Sequence, residues 1–315
     1  MKIKNYTQFL WQQLGLLALT AGVATAGAET TTTMSTTSAP ISAPSDDVVS
    51  GMLKLDFNTH FISYGADVWG DGSSMSDPGF NPNLELYFAL PGDLTLTLGT
   101  WWDVNSKGDS PIGGRLQEVD VYAGLSYSID KLTIGLTYQA WMYANAEGSN
   151  TEDILDLKFS YDTFLSPSLT IHQRLDQGAA NGDEGTVIVL GLSHSIEAGP
   201  ATISFPLNIA YFPTGGFHQN FVAADPGKPA IPASFGVAAE DAVDPTPQID
   251  EADTGFGYAS LGVAASLPLS PLIGDSFGDW SLNAGLTYFV TNSDIIPNNP
   301  SDSFLTASLG VALSF

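Results

Sequence analysis

Residues Ser303 to Phe315 read SFLTASLGVALSF. In an extended chain Leu305, Ala307, Leu309, Val311, Leu313 and Phe315 fall on one face, while Phe304, Thr306, Ser308, Gly310, Ala312 and Ser314 fall on the other. A period of two with one apolar face and one small or polar face is the signature of a strand. About a dozen residues is also the length that a tilted strand needs to cross a hydrocarbon layer. Two folds accommodate such a segment: the last strand of a soluble β-sandwich, or one stave of a transmembrane barrel.

The rest of the chain decides between them. From Gly51 onward the alternation recurs, first as Leu53, Leu55, Phe57, Thr59 and Phe61 against Lys54, Asp56, Asn58 and His60, then as Leu84, Leu86, Phe88 and Leu90 against Asn83, Glu85, Tyr87 and Ala89. Further runs centre on Leu98, Ala123, Leu136, Leu157, Ile171, Leu190, Leu207, Val263 and Leu286, and with the terminal stretch they predict twelve strands. An even count suits a closed single-chain barrel. Connections at 91–93, 129–131, 162–167 and 197–200 are short and 268–279 is moderate; those at 65–82, 104–116, 143–153, 177–185, 213–255 and 291–302 are mostly longer and richer in Gly, Asp, Asn and Pro. A sandwich has no reason to sort its loops by parity, whereas a membrane barrel puts short turns on its periplasmic side and long loops outside. The predicted fold is therefore all-β, a transmembrane antiparallel up-and-down barrel of about twelve strands.

Composition narrows the function. No apolar run approaches the roughly 18 residues of a helical span. The net charge of −25, with nine Lys and Arg in 315 residues, leaves no basic patch to displace counterions from phosphates, so nucleic acid is not an expected partner. An acidic surface needs cations near it and fits either a lipopolysaccharide layer bridged by divalent ions or a saline habitat, neither of which follows from charge alone. Cysteine is absent, which removes disulfides and thiolate chemistry.

Residues 1–28 read as a signal peptide: Lys2 and Lys4 precede the apolar stretch Leu10 to Ala24, and Ala26-Gly27-Ala28 is a small-x-small cleavage site. Residues 29–50 read as a disordered Thr/Ser/Pro-rich periplasmic leader. Residues 51–315 then form the barrel. The expected location is the cell outer membrane, reached by Sec export with removal of the signal peptide.

The terminal strand resembles the C-terminal strand of outer-membrane β-barrel proteins, and the resemblance implies that Phe315 belongs to the signal read by the barrel-assembly machinery. LTLTLGTWWDVNS, LQEVDVYAGLSYSIDKLTIGLTYQAWMYANAEG and TEDILDLKFSYDTFLSPSLTI, between Leu94 and about Gln177, resemble the TorF-type porins of Gram-negative bacteria. Those sequences repeat a Gly-aromatic strand end followed by Asn, an Asp-x-Tyr-x-Gly strand, a short turn and a Gly-x-x-Tyr strand. This likeness implies a porin-like barrel and transfers no functional residues.

On the polar faces, the predicted lumen holds Lys54, Asp56, Asn58, His60, Glu85, Asp103, Glu118, Asp120, Lys158, His172, Arg174 and Asp176. Charges inside a barrel stay hydrated or paired, because burial alone is costly. The expectation is an aqueous path for small hydrophilic solutes with a mild cation preference; the opposing reading is a closed structural or surface-recognition barrel acting through its acidic loops. Phe61, Trp69, Trp101, Trp102, Trp141, Tyr143, Tyr211, Phe212, Tyr288 and Phe289 are expected to form an outer aromatic belt, with Phe88, Tyr127, Phe159, Tyr161, Phe205, Trp280 and Phe315 forming an inner one. The acidic, proline-rich loop Pro213 to Gly255 leaves open a constriction folded into the mouth or a Ca²⁺ site built from carboxylates, but its spacing matches no calcium-loop motif and the expectation is an extended, solvated surface loop. No catalytic residues, metal ligands or cofactors are predicted: His194 and Ser195 are adjacent and so face opposite sides of a strand, and His60, His172 and His218 stand apart from any ligand spacing.

Overall fold

Met52 pairs with Ser314 and Asn58 with Ser308, which joins the first long strand to the last and closes a cylinder. The computed structural model describes residues 49–69, 72, 74–105, 115–143, 151–175, 184–215, 219–221, 249–251, 253–274, 278–297 and 299–315. The predicted signal peptide and nearly all of the predicted leader lie outside the described residues.

The elements in chain order are β1 (Val49–Asn58), β2 (Ile62–Ser63), β3 (Ala66–Asp67), β4 (Gly79–Leu90), β5 (Leu94–Val104), β6 (Leu116–Ile129), β7 (Leu132–Tyr143), β8 (Glu152–Tyr161), β9 (Ser168–Arg174), β10 (Thr186–Ala198), β11 (Ala201–Phe212), β12 (Gln219–Phe221), β13 (Ile249–Glu251), β14 (Gly255–Pro268), a one-turn helix α1 (Ser270–Ile273), β15 (Asp279–Thr291) and β16 (Ser303–Ser314). Around the barrel the order is β1, β16, β15, β14, β11, β10, β9, β8, β7, β6, β5, β4 and back to β1, each strand antiparallel to its neighbours. This is the predicted closed twelve-stranded barrel. β2 pairs with β3, and β12 with β13, as two separate two-stranded sheets that take no place in the barrel ladder.

Alternation builds the two faces. Leu84, Leu98, Val121, Leu125, Leu136, Leu190, Leu261, Leu286, Leu305 and Leu309 all point outward and are exposed, Leu261 at 59%. An apolar girdle of that extent is a surface for lipid rather than water. At the short-turn end the chain reverses through left-handed residues that suit tight hairpins, Gly92 (φ 80°) with Asp93 (φ 58°), Asp130 (φ 53°) and Gly199 (φ 66°). Pro206, which has no N–H to contribute, lies in the gap of the β11–β14 ladder between Ser204 opposite Ala264 and Leu207 opposite Leu261, and the register is unchanged across it; the one shift in this pairing falls between Ala210 and Tyr211.

The first strand departs from the sequence reading. The alternation continues to Phe61, but β1 ends at Asn58, Thr59 N–H makes a last bond to the Ala307 carbonyl (2.9 Å), and the chain then turns into the barrel. There Ile62 pairs with Asp67 and Ser63 with Ala66 across a two-residue turn, Tyr64 (φ 47°) and Gly65 (φ 84°). Two successive positive φ values define a type I′ hairpin, the form whose twist matches its strands. Gly65 is required for space as well, because a β-carbon there would lie 2.5 Å from Tyr258 Cδ1.

Candidate functional site

The lumen is the only enclosed chemistry a barrel offers, and its residues follow from strand parity. Lys54 and Asp56 lie on the inner face of β1, Glu85 on β4, Asp103 on β5, Glu118 and Asp120 on β6, Lys158 on β8, and His172 and Arg174 on β9. His60 lies past the end of β1, stacked on Phe304 at 5.8 Å with its Nε2 3.9 Å from Asp67. Asp176 lies outside the described residues. Glu197 and Asp279 sit at the exposed short-turn rim; apart from them, the described inner faces of β10, β11, β14, β15 and β16 carry no formal charge and are lined by Ser, Thr, Asn, Gly, Ala and apolar residues. One wall of the lumen is charged and the facing wall is small and neutral.

Much of the charged wall is tied up in bonds. Glu85 accepts from Tyr122 Oη (2.7 Å) and from the Tyr87 hydroxyl. A ladder of amides and one carboxylate crosses four strands: Asn58 Nδ2 donates to Asn81 Oδ1 (2.7 Å), Asn81 Nδ2 to Asp103 Oδ1 (3.1 Å), Asn105 Nδ2 to Asp103 Oδ2 (3.1 Å), and Gln117 Nε2 to Asn105 Oδ1 (2.6 Å). On β7–β9, His172 Nδ1 lies 2.6 Å from Asp156 Oδ1, Gln139 Nε2 donates to Asp156 Oδ2, and Trp141 Nε1 donates to Gln139 Oε1 (3.2 Å). Arg174 Nη2 and Glu152 Oε2 are 3.5 Å apart, both buried. Groups satisfied in this way stiffen a wall and hold its rotamers. Asn81, Gln117, Gln139, Glu152 and Asp156 were not among the predicted lumen residues, although strand parity alone places them inside.

At the long-loop end of the lumen a buried apolar cluster sits beside these polar groups. Phe61, Ile62 and Tyr64 each expose 1% of their surface. Ile62 and Tyr64 pack among Trp141, Ile154, Val187, Val189, Ala210, Phe212, Tyr258 and Phe289 from the wall, together with Ile295 and Ile296 of the β15–β16 connection. Phe61 and Trp69 pack with Trp101 and Tyr122. Phe61 lies 5.1 Å from Trp101 and Tyr64 4.9 Å from His172, ring centre to ring centre. Trp69 Nε1 donates to Asp103 Oδ2 (3.0 Å), and Asn299 clasps the hairpin by accepting from Asp67 N–H (2.8 Å) and donating to the Gly65 carbonyl (2.9 Å). The segment from Phe61 to Trp69 is thus a stopper set inside the barrel.

This corrects the outer aromatic belt. Phe61, Trp69, Trp101, Trp141, Phe212 and Phe289 are buried inside, while Trp102, Tyr211 and Tyr288 face outward, Trp102 with 43% exposed. Adjacent aromatics in a strand must point to opposite faces, so each of the pairs Trp101-Trp102, Tyr211-Phe212 and Tyr288-Phe289 splits between lipid and lumen. At the short-turn end Phe88, Tyr127, Phe159, Tyr161, Phe205 and Trp280 all lie on the outer face. Phe315 bonds Gly51 in both directions, accepting at 2.7 Å and donating at 3.0 Å.

Catalytic geometry is missing at the one His-Ser pair. The His194 ring packs tilted against Phe164, centroids 4.1 Å apart, outside, with Nδ1 2.9 Å from the Phe164 carbonyl, while Ser195 lies inside, 2.9 Å from Ser204 Oγ. Among the described residues no group of three or more His, Asp or Glu has the arrangement of a metal site. From the loop 213–255, the acidic residues Asp225, Glu240, Asp241 and Asp244 lie outside the described residues, and Asp253 is exposed.

No family model and no curated protein matches the sequence. Among solved structures, the chain is similar to the NanC porin (TM-score 0.44, 10% identity, 84% of this chain and 100% of that one). It is also similar to an outer-membrane channel from Pseudomonas putida F1 (0.45, 12%, 85% and 95%). A third likeness is to outer membrane phospholipase A from Escherichia coli (0.38, 11%, 84% and 92%). Channels and an enzyme stand side by side in this group, so the likeness assigns no activity.

Proposed function

We propose that the barrel is an outer-membrane channel through which small hydrophilic solutes diffuse passively, with a mild preference for cations. One observation carries the reading: between the stopper and the short-turn end, Lys54, Asp56, Tyr87, Lys158, Ser193 and Asn208 face inward and are only half-buried, inside a wall whose other face is apolar. A polar, solvated interior within an apolar exterior is the arrangement of an aqueous path across a membrane. The cation preference rests on the excess of carboxylates over Lys and Arg on the charged wall taken whole; in its half-buried part Asp56 stands with Lys54 and Lys158. In this reading the girdle contacts outer-membrane lipid, the acidic loops contact lipopolysaccharide, and the barrel-assembly machinery inserts the chain.

The stopper favours a second reading, a closed barrel whose work is done by its acidic external loops. Single-channel recording separates the two. Residues 29–315, refolded and inserted in a planar bilayer under asymmetric KCl, are expected to give discrete steps with a reversal potential favouring K⁺, and Asp56→Asn to move that potential toward zero. Inserted, folded protein without current would favour the closed barrel.

A further inference from the structure

The segment Phe61–Trp69 lies inside the barrel yet takes no place in its ladder: among the described residues β2 and β3 pair only with each other. Side chains hold it, chiefly the Trp69 indole on Asp103, the Asn299 clasp on Gly65 and Asp67, and ring contacts with Trp101 (tilted), Trp141 (stacked) and His172 (edge-on). All of these can part without breaking a single strand pair. The seated hairpin also holds Tyr64 at φ 47°, a left-handed conformation that a bulky residue keeps only while its surroundings impose it. Its apolar partners come from β5, β6, β7, β8, β10, β11, β14 and β15, and His172 adds β9, so the cross-section is filled from nearly every side.

A lumen that is polar below and shut above conducts only if the shutter moves. Resting on the channel reading above, we propose that Phe61–Trp69 is a displaceable gate: seated, it closes the lumen, and withdrawn toward the long-loop end it opens the path, so that this hairpin sets when the barrel conducts.

The absence of cysteine allows a clean lock, because two introduced cysteines can form only one intramolecular bridge. A β-carbon at position 65 would lie 2.9 Å from Tyr258 Cγ, which brings the two β-carbons near the separation of about 3.5–4.5 Å that a disulfide spans. Gly65→Cys with Tyr258→Cys is the first pair. Asp67→Cys with Asn299→Cys, across the 2.8 Å hydrogen bond, is the second in case the first fails to fold. Each is refolded, checked for barrel formation by heat-modifiable migration in SDS gels, titrated for free thiol and recorded in a planar bilayer. The gate predicts intermittent steps from the unmodified and the reduced proteins, silence after oxidation, and recovery with dithiothreitol. It also predicts that Phe61→Ser with Tyr64→Ser and Trp69→Ser raises the open fraction about tenfold. Steps that persist in fully oxidised protein overturn the gate. Silence of the unmodified protein beside a conducting triple variant also overturns it, because the hairpin is then a fixed stopper. A folded triple variant that is silent as well sinks the channel reading itself.

Discussion

The indole of Trp69 occupies the place where any side chain at position 79 would begin: a β-carbon on Gly79 would lie 1.7 Å from Trp69 Cη2. The first residue of β4 is therefore a glycine for reasons of contact rather than backbone freedom, and the hairpin rests on it. Gly79→Ala is expected to push the ring out of its slot, with a loss of about 1–3 kcal/mol in stability for the overpacked site. It should also lengthen the open times in bilayer recordings and shift tryptophan emission to the red. Unchanged emission and unchanged gating would show that the neighbouring chain absorbs the methyl.

Asp103 is the acceptor for three side-chain donors, from Trp69, Asn81 and Asn105. Asp103→Ala leaves all three in a buried setting without that acceptor, at a cost on the order of 3 kcal/mol. Asp103→Asn, which retains one carbonyl oxygen, is expected to recover part of the loss. Urea midpoints of the refolded barrel in lipid vesicles give the ordering, wild type above Asn above Ala.

Arg174 and Glu152 form a buried pair on adjacent strands near the stopper. Removing either partner alone, as Arg174→Met or Glu152→Leu, strands a charge and is expected to cost roughly 3–5 kcal/mol. The double variant should cost clearly less than the sum of the two. A strictly additive double variant, measured by the same unfolding assay, would mean that the two charges are held by other neighbours.

Leu261 stands near the middle of β14 on the outer face. Leu261→Arg is expected to destabilise the barrel by about 2–4 kcal/mol in vesicles, the depth-dependent penalty for a charge at the bilayer midplane. In detergent micelles that tolerate local distortion the difference should shrink. Equal stability of variant and wild type in thick bilayers would place this face away from lipid.

Period-two alternation made the wall legible. The twelve staves, the side of every turn and the inward position of Glu85, Asp120 or His172 follow from counting, because a strand that must present lipid on one face cannot slip by one residue. The stopper was hidden by the same rule. Thr59 and Phe61 continue the alternation of β1, so nothing local marks Asn58 as its end; tertiary packing against strands far along the chain overrides the pattern. The signals that remain are small. Tyr64-Gly65 between two short apolar-polar pairs is a hairpin turn, and the doublets Trp101-Trp102, Tyr211-Phe212 and Tyr288-Phe289 each owe one ring to the interior. The bonding of the carboxylates was out of reach, since partners such as Asp103 with Asn81 or Asp156 with His172 meet only across strands in register.

The clasp of Asn299 on the hairpin also fixes an order of events. Its two partners lie 232 and 234 residues earlier in the chain, and Tyr258 and Phe289 against the same hairpin come nearly as late. Contacts so distant form last, because each waits for the closure of everything between them. During biogenesis, then, the half-zipped cylinder stands open, and Phe61, Ile62, Tyr64 and Trp69 pass that interval exposed, as an aggregation-prone tongue beside the earliest strand. Sealing comes after construction: the hairpin gains its last contacts only when the final staves arrive.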